Sequence, residues 1–250
     1  MSRARIVAGN FKLHLAPAAT QALVTAIAAP PVATRVRLVV FPTALSIAAA
    51  LDAAEDRVDV GVQWVAPTPS GAFTGTNSAA LAASMGVRWA LVGHSEVRRD
   101  LGETDARCAA SLLAALDAGL RPLLCVGETL AERDAGALEA VLSAQLRTAL
   151  DAVPGAAWPD VAIAYEPVWA IGTGVVASPE QAQAAHAYVR ATLAAAYGEA
   201  VAACVPILYG GSVTPENAAT LMALPDVDGV LVGGASLDAA KFRAIASAAV

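Results

Sequence analysis

The sequence predicts an α/β protein, a single-domain (β/α)8 barrel over residues 1–250. Eight short apolar runs occur along the chain, and segments of helical length separate them. No linker, charge block or low-complexity tract divides the chain, so one domain is expected. Eight strands with helical crossovers also fit its length, because such barrels typically need about 250 residues.

The apolar runs are predicted to be parallel strands because they are nearly continuous and do not alternate with polar residues. A strand that is covered on both faces typically has such a continuous apolar sequence. The predicted strands are Arg5–Gly9, Arg37–Phe41, Val58–Gln63, Ala90–Gly93, Pro122–Val126, Val161–Tyr165, Pro206–Tyr209 and Gly229–Val232.

Alanine-rich segments between the later strands have the length that helical crossovers require. The helices predicted from them are Ala106–Ala118, Ala137–Ala152, Glu180–Ala196 and Pro215–Leu224.

The composition excludes several classes of protein. With 57% hydrophobic and only 15% charged residues, the chain supports a sizeable core and is not disordered. A net charge of −6 argues against nucleic-acid binding. The three cysteines are scattered and form no CxxC pair, which favours reduced thiols in the cytoplasm. The longest apolar stretch, Leu38 to Leu51, is too short to cross a bilayer and no signal peptide is apparent, so a soluble protein without membrane contact is expected.

Polar and glycine residues follow the predicted strands at the points where these end. Asn10 and Lys12 follow the first strand, His94 the fourth and Glu166 the sixth. Glycine pairs follow the seventh and eighth strands, at Gly210-Gly211-Ser212 and Gly233-Gly234. In a barrel, all of these residues meet at the C-terminal face, where active sites are built.

The most informative segment runs from Ala164 to Gly174. It brings Glu166 to the end of an apolar strand, and then continues through Pro167 and Trp169 into Gly172-Thr173-Gly174. A carboxylate at the rim of a strand, followed by a loop with a stiff start and glycines, suits a general base beneath a closing lid. The alternative is a buried carboxylate that pairs with an arginine.

Three further side chains are candidates for the same site. Lys12 is one of two lysines in a chain that otherwise uses arginine, and its ammonium could sit beside a phosphate and a developing oxyanion. His94 precedes Ser95, which is expected to cap the next helix; the positive end of that helix would favour a neutral imidazole that donates an N–H. Their alternatives are a solvated surface lysine and a core histidine. Glu96 is a first-turn carboxylate, a partner for Lys12 or a proton-handling group, and a supporting electrostatic role is favoured.

Backbone N–H groups of Ser212 and of the glycine pairs are candidates for a phosphate cradle, particularly where a short helix begins after the eighth strand. Gly172 in the predicted lid is a further candidate for the phosphate cradle. Together these positions predict an anionic small substrate. Local groups would have to capture it, because the negative net charge of the chain repels an anion.

The chain resembles the triosephosphate isomerase family over essentially its whole length. Besides the lid segment, the resemblance rests on the motifs Gly9-Asn10-Phe11-Lys12, Phe73-Thr74-Gly75, Gly93-His94-Ser95-Glu96, Cys125-Val126-Gly127-Glu128, Tyr209-Gly210-Gly211-Ser212-Val213 and Val232-Gly233-Gly234-Ala235-Ser236-Leu237.

The resemblance implies a TIM barrel enzyme that interconverts dihydroxyacetone phosphate and glyceraldehyde 3-phosphate through an enediolate. It assigns Glu166 as base, His94 as electrophile and Lys12 as substrate-binding cation. It further implies that substrate or its phosphate is bound by Asn10, Gly172, Ser212, Gly233 and Gly234. No cofactor and no metal are implied, and the expected setting is a cytoplasmic homodimer in glycolysis and gluconeogenesis.

The sequence departs from the family pattern at two places that bear on function. Thr76 and Val97 stand where the family typically has a glutamate and an arginine that pair across the dimer interface. Both charges are missing together, which avoids a buried unpaired ion. A less ionic dimer is therefore expected, with Trp64 adding apolar contact and Thr74 reaching toward the neighbouring site. Val175-Val176 ends the lid where the family usually has a lysine, so stiffer lid motion is expected.

Two other functions remain open at this level. One is a related isomerase that acts on a four-carbon ketose phosphate. The other is a catalytically silent paralogue that binds sugar phosphate, although such a protein would not need Lys12, His94 and Glu166 together.

Overall fold

The computed structural model describes residues 3–29, 36–172 and 176–249. Eight parallel strands close into a barrel in chain order, each hydrogen-bonded to its neighbours, and the first pairs with the last. The strands are β1 Arg5–Asn10, β2 Val36–Phe41, β3 Asp59–Val62, β4 Trp89–Val92, β5 Arg121–Val126, β6 Ala162–Tyr165, β7 Ile207–Tyr209 and β8 Gly229–Val232. The predicted (β/α)8 TIM barrel is confirmed.

Helices connect consecutive strands and surround the barrel. They are α1 Pro17–Ala28, α2 Ile47–Ala54, α3 Ala79–Ser84, α4 Ser95–Leu101, α5 Asp105–Asp117, α6 Leu130–Asp134, α7 Leu138–Leu150, α8 Pro179–Tyr197, α9 Glu199–Cys204, α10 Pro215–Met222 and α11 Ala239–Ser247. A short 3₁₀ helix, Gly234–Leu237, follows β8 as expected.

The predicted strands agree with the observed ones to within one residue at each end, and the four predicted helices to within two. The apolar runs are continuous because both faces of each strand are buried. One set of alternating strand residues, which includes Ala8, Leu91 and Ala164, forms one apolar cluster. The intervening residues, such as Val7 and Val92, pack with the helices in a second and larger cluster.

A glycine lets the widest side chains fit into the first of these clusters. A Cβ atom at Gly61 would lie 2.2 Å from a ring carbon of Phe41 and 3.0 Å from the Cβ of Trp89. Because β3 has no side chain here, the two aromatic side chains of its neighbouring strands can pack against it. In the described residues, no helix is long and apolar enough to cross a membrane.

Candidate active site

The C-terminal ends of the strands surround a cavity of about 470 Å³. Eight of the residues that the sequence singles out line it, namely Asn10, Lys12, His94, Glu166, Gly172, Ser212, Gly233 and Gly234. Glu96 does not line the cavity but contacts Lys12. The predicted convergence of these groups at one end of the barrel is therefore observed.

Glu166 follows β6 and is only 2% exposed. Its backbone N–H donates to the carbonyl of Val126 at 2.7 Å, which continues the ladder of the barrel. Its Oε2 accepts a hydrogen bond from the backbone N–H of Ser95 at 2.9 Å, and its Oε1 lies 3.1 Å from His94 Nε2. The carboxylate is thus paired with an imidazole and a helix N-terminus, and the alternative of an arginine partner does not apply within the described residues.

Two glycines leave the space that the Glu166 side chain and backbone occupy. A Cβ atom at Gly210 would lie 2.9 Å from Glu166 Cγ, and one at Gly127 would lie 1.7 Å from the Glu166 carbonyl oxygen. Because Cβ atoms essentially never approach so closely, larger residues here would displace Glu166. Both glycines belong to the motifs given above, but this role is not visible in the sequence because it depends on contacts between strands.

His94 lies at the start of α4 and is 5% exposed. Its Nδ1 accepts a hydrogen bond from the backbone N–H of Glu96 at 3.3 Å, so the ring carries its N–H on Nε2. Nε2 faces Glu166 Oε1 and also lies 3.2 Å from the side-chain amide nitrogen of Asn10. The ring therefore presents an N–H to the cavity.

The expectation that Ser95 caps α4 is wrong. The N-cap residue is His94, whose ring nitrogen takes the place of a hydroxyl, and Ser95 is the first helical residue. Gly93 makes this possible with a φ of +71°, a left-handed conformation that turns the chain directly after β4. The Ser95 backbone N–H is consequently free to bind Glu166.

Lys12 lies at the mouth of the cavity in a strained conformation, with a φ of +50°. Its Nζ donates to Glu96 Oε1 at 2.7 Å, and Glu96 Oε2 lies 3.8 Å from His94 Nδ1. A Cβ atom at Gly233 would be 3.5 Å from Lys12 Cε, so the lysine side chain passes directly over this glycine. The pairing of Lys12 with Glu96, one of the three alternatives for Glu96, is observed, and the lysine side chain lies beside the candidate phosphate cradle.

Gln63 is a residue that the sequence analysis did not assign to the site. Its side-chain amide nitrogen donates to the Lys12 carbonyl at 2.8 Å, the Phe41 carbonyl at 3.0 Å and Asn10 Oδ1 at 3.3 Å. Asn10 Oδ1 also accepts from the Lys12 backbone N–H at 3.0 Å. One amide thus holds the strained turn that carries Lys12. A polar residue at the end of the third apolar run was the available signal.

We expect Gln63→Leu to raise KM by about 10-fold and to leave kcat less affected, because the loss of hydrogen bonds worth about 1 kcal/mol each lets the Lys12 turn relax. Steady-state kinetics measure both constants. The matched control is Gln21→Leu on the exposed side of α1. Unchanged KM in the Gln63 variant, with a normal thermal melt, would rule out this positioning role.

The candidate phosphate cradle lies where β7 and β8 end, on the two strands that follow β6 around the barrel. Within the described residues, the backbone N–H groups of Ser212, Gly233 and Gly234 take part in no hydrogen bond. Gly172 has a φ of +70° and lines the cavity beside them. Ser236 Oγ donates to the Gly233 carbonyl at 2.6 Å and fixes the turn from behind. Free N–H groups at the start of a short helix are suited to bind phosphate oxygens.

The beginning of the predicted lid is fastened to Glu128, which is fully buried. Its carboxylate accepts hydrogen bonds from Trp169 Nε1 at 2.7 Å, Arg133 Nη1 at 3.0 Å and the Tyr165 hydroxyl at 3.1 Å. Burial and the charge of Glu128 raise the pKa of Tyr165, so its hydroxyl remains a donor. The chain on both sides of Glu166 is therefore anchored. Thr173, Gly174 and Val175, on which the lid predictions also depend, lie outside the described residues.

A carboxylate that contacts an imidazole N–H, in a cavity that an ammonium and a candidate phosphate cradle also line, is equipped to move a proton next to the carbonyl group of a small phosphorylated compound. The fold and the site thus define a barrel enzyme of acid–base chemistry.

Comparison with known proteins identifies the family. The family model described as triosephosphate isomerase matches residues 5–249. The chain is 47% identical to the triosephosphate isomerase of Halorhodospira halophila, over 99% of this chain and 98% of that one. It is 48% identical to that of Chloroflexus aurantiacus and 46% identical to that of Moorella thermoacetica, in each case over 97% of this chain and 98% of the other. The chain belongs to the triosephosphate isomerase family, a family of isomerases, and the resemblance drawn from its motifs is confirmed.

Proposed function

We propose that this protein interconverts dihydroxyacetone phosphate and D-glyceraldehyde 3-phosphate, with Glu166 as base, His94 as electrophile and Lys12 as substrate-binding cation. The observation that carries the proposal is the contact of 3.1 Å between Glu166 Oε1 and His94 Nε2 within a cavity that Lys12 and the glycine cradle also line. The base and the N–H donor lie next to each other, as proton transfer beside a carbonyl requires.

The geometry supports a definite sequence of steps. When the substrate carbonyl oxygen accepts the His94 N–H, it takes the position of Glu166 Oε1 and frees that oxygen for the proton on the neighbouring carbon. Removal of this proton moves its electron pair toward the carbonyl oxygen and gives an enediolate. His94 and Lys12 stabilise the negative charge. His94 would give its N–H proton to the former carbonyl oxygen and take up the proton of the neighbouring hydroxyl, which becomes the new carbonyl, and Glu166 returns its proton to the other carbon.

The remaining residues of the proposed site hold the substrate. Ser212, Gly233 and Gly234 would bind the phosphate through their N–H groups, together with Gly172 from the lid. Asn10 would orient the substrate beside His94, and Glu96 would support Lys12 and the His94 tautomer. We also propose that residues 1–250 form one domain and that the protein acts in the cytoplasm in glycolysis and gluconeogenesis.

A coupled assay tests the proposed activity. Purified protein is given glyceraldehyde 3-phosphate, and formation of dihydroxyacetone phosphate is followed; the same assay is repeated with a four-carbon ketose phosphate. Faster turnover of the three-carbon substrate is expected, since the relatives that this chain matches over nearly its whole length are named triosephosphate isomerases. Preference for the four-carbon substrate, or binding without turnover, would contradict the proposal and favour one of the two alternatives.

We further propose a homodimer whose contact is mainly apolar. Large apolar side chains are exposed in segments that follow β1 to β4, and they comprise Leu13, Leu45, Phe73, Leu81, Met85 and Leu101. Such a concentration of exposed apolar side chains is typical of an interface. Thr76 donates its hydroxyl to the Phe73 carbonyl at 2.7 Å, so the loop presents no charge at this position.

The dimer is expected to persist at high salt, because Thr76 and Val97 provide no ion pair that salt could screen. Sedimentation velocity at micromolar protein concentration, at low and high ionic strength, measures the association. The matched variant Thr76→Glu is expected to weaken the dimer, since it adds a buried charge opposite Val97. A fully active monomer in the unmodified protein would exclude this arrangement.

A further inference from the structure

A second cavity, of about 570 Å³, lies at the opposite end of the barrel from the candidate active site. It is formed where strands begin: Arg5 opens β1, Asp59 opens β3 and Arg121 opens β5. Arg37 is the second residue of β2, and Arg88 directly precedes β4. The cavity therefore belongs to the N-terminal face and shares no residue with the catalytic cavity.

The charge of this cavity is opposite to that of the protein. The chain carries a net charge of −6, yet its second cavity is lined by five arginines, Arg5, Arg37, Arg57, Arg88 and Arg121. Only two carboxylates, those of Asp56 and Asp59, line it with them. Two of the arginines have acidic partners outside the lining: Arg57 lies 3.9 Å from Glu55, and Arg121 lies 3.2 Å from Asp160.

The other three arginines, Arg5, Arg37 and Arg88, have only the two carboxylates of the lining among them, so a positive charge is left over within the described residues. Arg37 and Arg88 both approach Asp59, but at 3.9 and 3.6 Å, and within the described part of the chain neither guanidinium group forms a hydrogen bond. Asp59 Oδ2 already accepts from the indole N–H of Trp89 at 2.9 Å. Arg5 donates from Nη1 to the carbonyls of Met222 and Val227, and these neutral acceptors leave its charge uncompensated.

Asp56 does not remove this excess charge. Its side chain is 96% exposed and lies 3.7 Å from Arg88, so water and salt screen the pair. Asp59 is the one carboxylate of the lining that is largely shielded, with 16% of its side chain exposed, and it is shared by two guanidinium groups and an indole. Guanidinium groups held around one carboxylate repel each other, and an additional anion between them would offset this repulsion.

We propose that this cavity binds a small, multiply charged phosphate anion, such as a diphosphate or a phosphate ester, at Arg37 and Arg88. A guanidinium group presents paired N–H donors that match phosphate oxygens, and Arg37 and Arg88 have such donors available. The volume of about 570 Å³ lies within the range of about 300–1,000 Å³ that is typical of small-molecule sites. The site is independent of the proposed isomerase activity.

Isothermal titration of the purified protein with inorganic pyrophosphate tests the proposal. Because the candidate active site also suits phosphate, the titration is run on the unmodified protein, on Lys12→Gln and on the double variant Arg37→Gln/Arg88→Gln. We expect the binding event assigned to the second cavity to persist in Lys12→Gln and to weaken at least about 10-fold in the double variant, since charge-assisted hydrogen bonds are lost at two arginines. Arg147→Gln, on the exposed side of α7, is the matched control and is expected to bind as the unmodified protein does.

Two results would overturn the proposal. One is the absence of pyrophosphate binding in Lys12→Gln, which would assign all binding to the active site. The other is equal affinity in the double variant and in Arg147→Gln. If the double variant does not fold, Arg88→Gln alone serves, because its side chain is 63% exposed and tolerates replacement. Retained isomerase activity in the arginine variants would confirm that they fold and would separate this site from the catalytic one.

Discussion

Replacement of Glu166 by glutamine is expected to lower kcat by about 10²–10⁴-fold, the usual contribution of a general base. Glutamine has the size of glutamate but cannot take up a proton at the catalytic pH. Its amide oxygen can still accept the Ser95 N–H, so the fold and the α4 terminus are expected to remain. KM should change little, because the proposed phosphate cradle is formed by other residues. Steady-state turnover of glyceraldehyde 3-phosphate measures both constants.

Two comparisons make the Glu166 experiment specific. Glu139→Gln, on the exposed side of α7, removes the same charge and is expected to leave kcat unchanged. Glu166→Asp keeps the carboxylate but withdraws it by about 1 Å, which is expected to cost on the order of 10²-fold. A fall of kcat in Glu166→Gln that is no larger than in Glu139→Gln would remove Glu166 from the mechanism.

The barrel could be predicted from the sequence because its signal is local and repeated. Each strand reads as a short apolar run, and the residue that follows each run marks the face where the active site lies. For this reason Lys12, His94 and Glu166 could be predicted as site residues. They are polar residues at strand ends, in a chain with few charged residues.

What escaped prediction depends on contacts between distant segments. Gln63 donates a hydrogen bond to the turn after β1. At Gly210 a side chain would collide with Glu166, which follows the neighbouring strand. The His94 cap was missed because serine is the usual capping residue, whereas here the imidazole nitrogen is held in position by the Gly93 turn. The roles of Gln63 and Gly210 follow from the register of parallel strands, which a single strand does not specify, whereas the His94 cap depends on the local turn at Gly93.

His186 is another residue whose role no local pattern indicates. It lies on α8, is fully buried, and its ring packs against Tyr165 at 5.8 Å and Tyr209 at 6.2 Å between ring centroids. Its Nδ1 lies 3.3 Å from the Asp226 carbonyl, and within the described residues its Nε2 has no hydrogen-bond partner. A protonated ring would therefore bury an N–H without an acceptor.

Burial, together with the nearby Arg190, lowers the pKa of His186 from 6.5 to about 4, against the opposing effects of Asp226. Since the unfolded chain binds this proton more readily, the folded state loses stability as the pH falls from about 6.5 toward about 4, and above 6.5 the effect is absent. A shift of this size corresponds to about 3 kcal/mol of unfolding free energy over the whole interval.

His186→Gln is therefore expected to reduce the slope of the unfolding free energy against pH. The reduction corresponds to the uptake of up to one proton, or about 1.4 kcal/mol per pH unit. Urea unfolding at fixed protein concentration, across the interval between the two pKa values, measures the slope. The matched control is His14→Gln, in which an exposed histidine is lost and the slope is expected to stay. Equal slopes in both variants would contradict the assignment. Because Tyr165 and Tyr209 immediately precede Glu166 and Gly210, the neutral His186 ring also supports the two strand ends that carry the base and one side of the phosphate cradle.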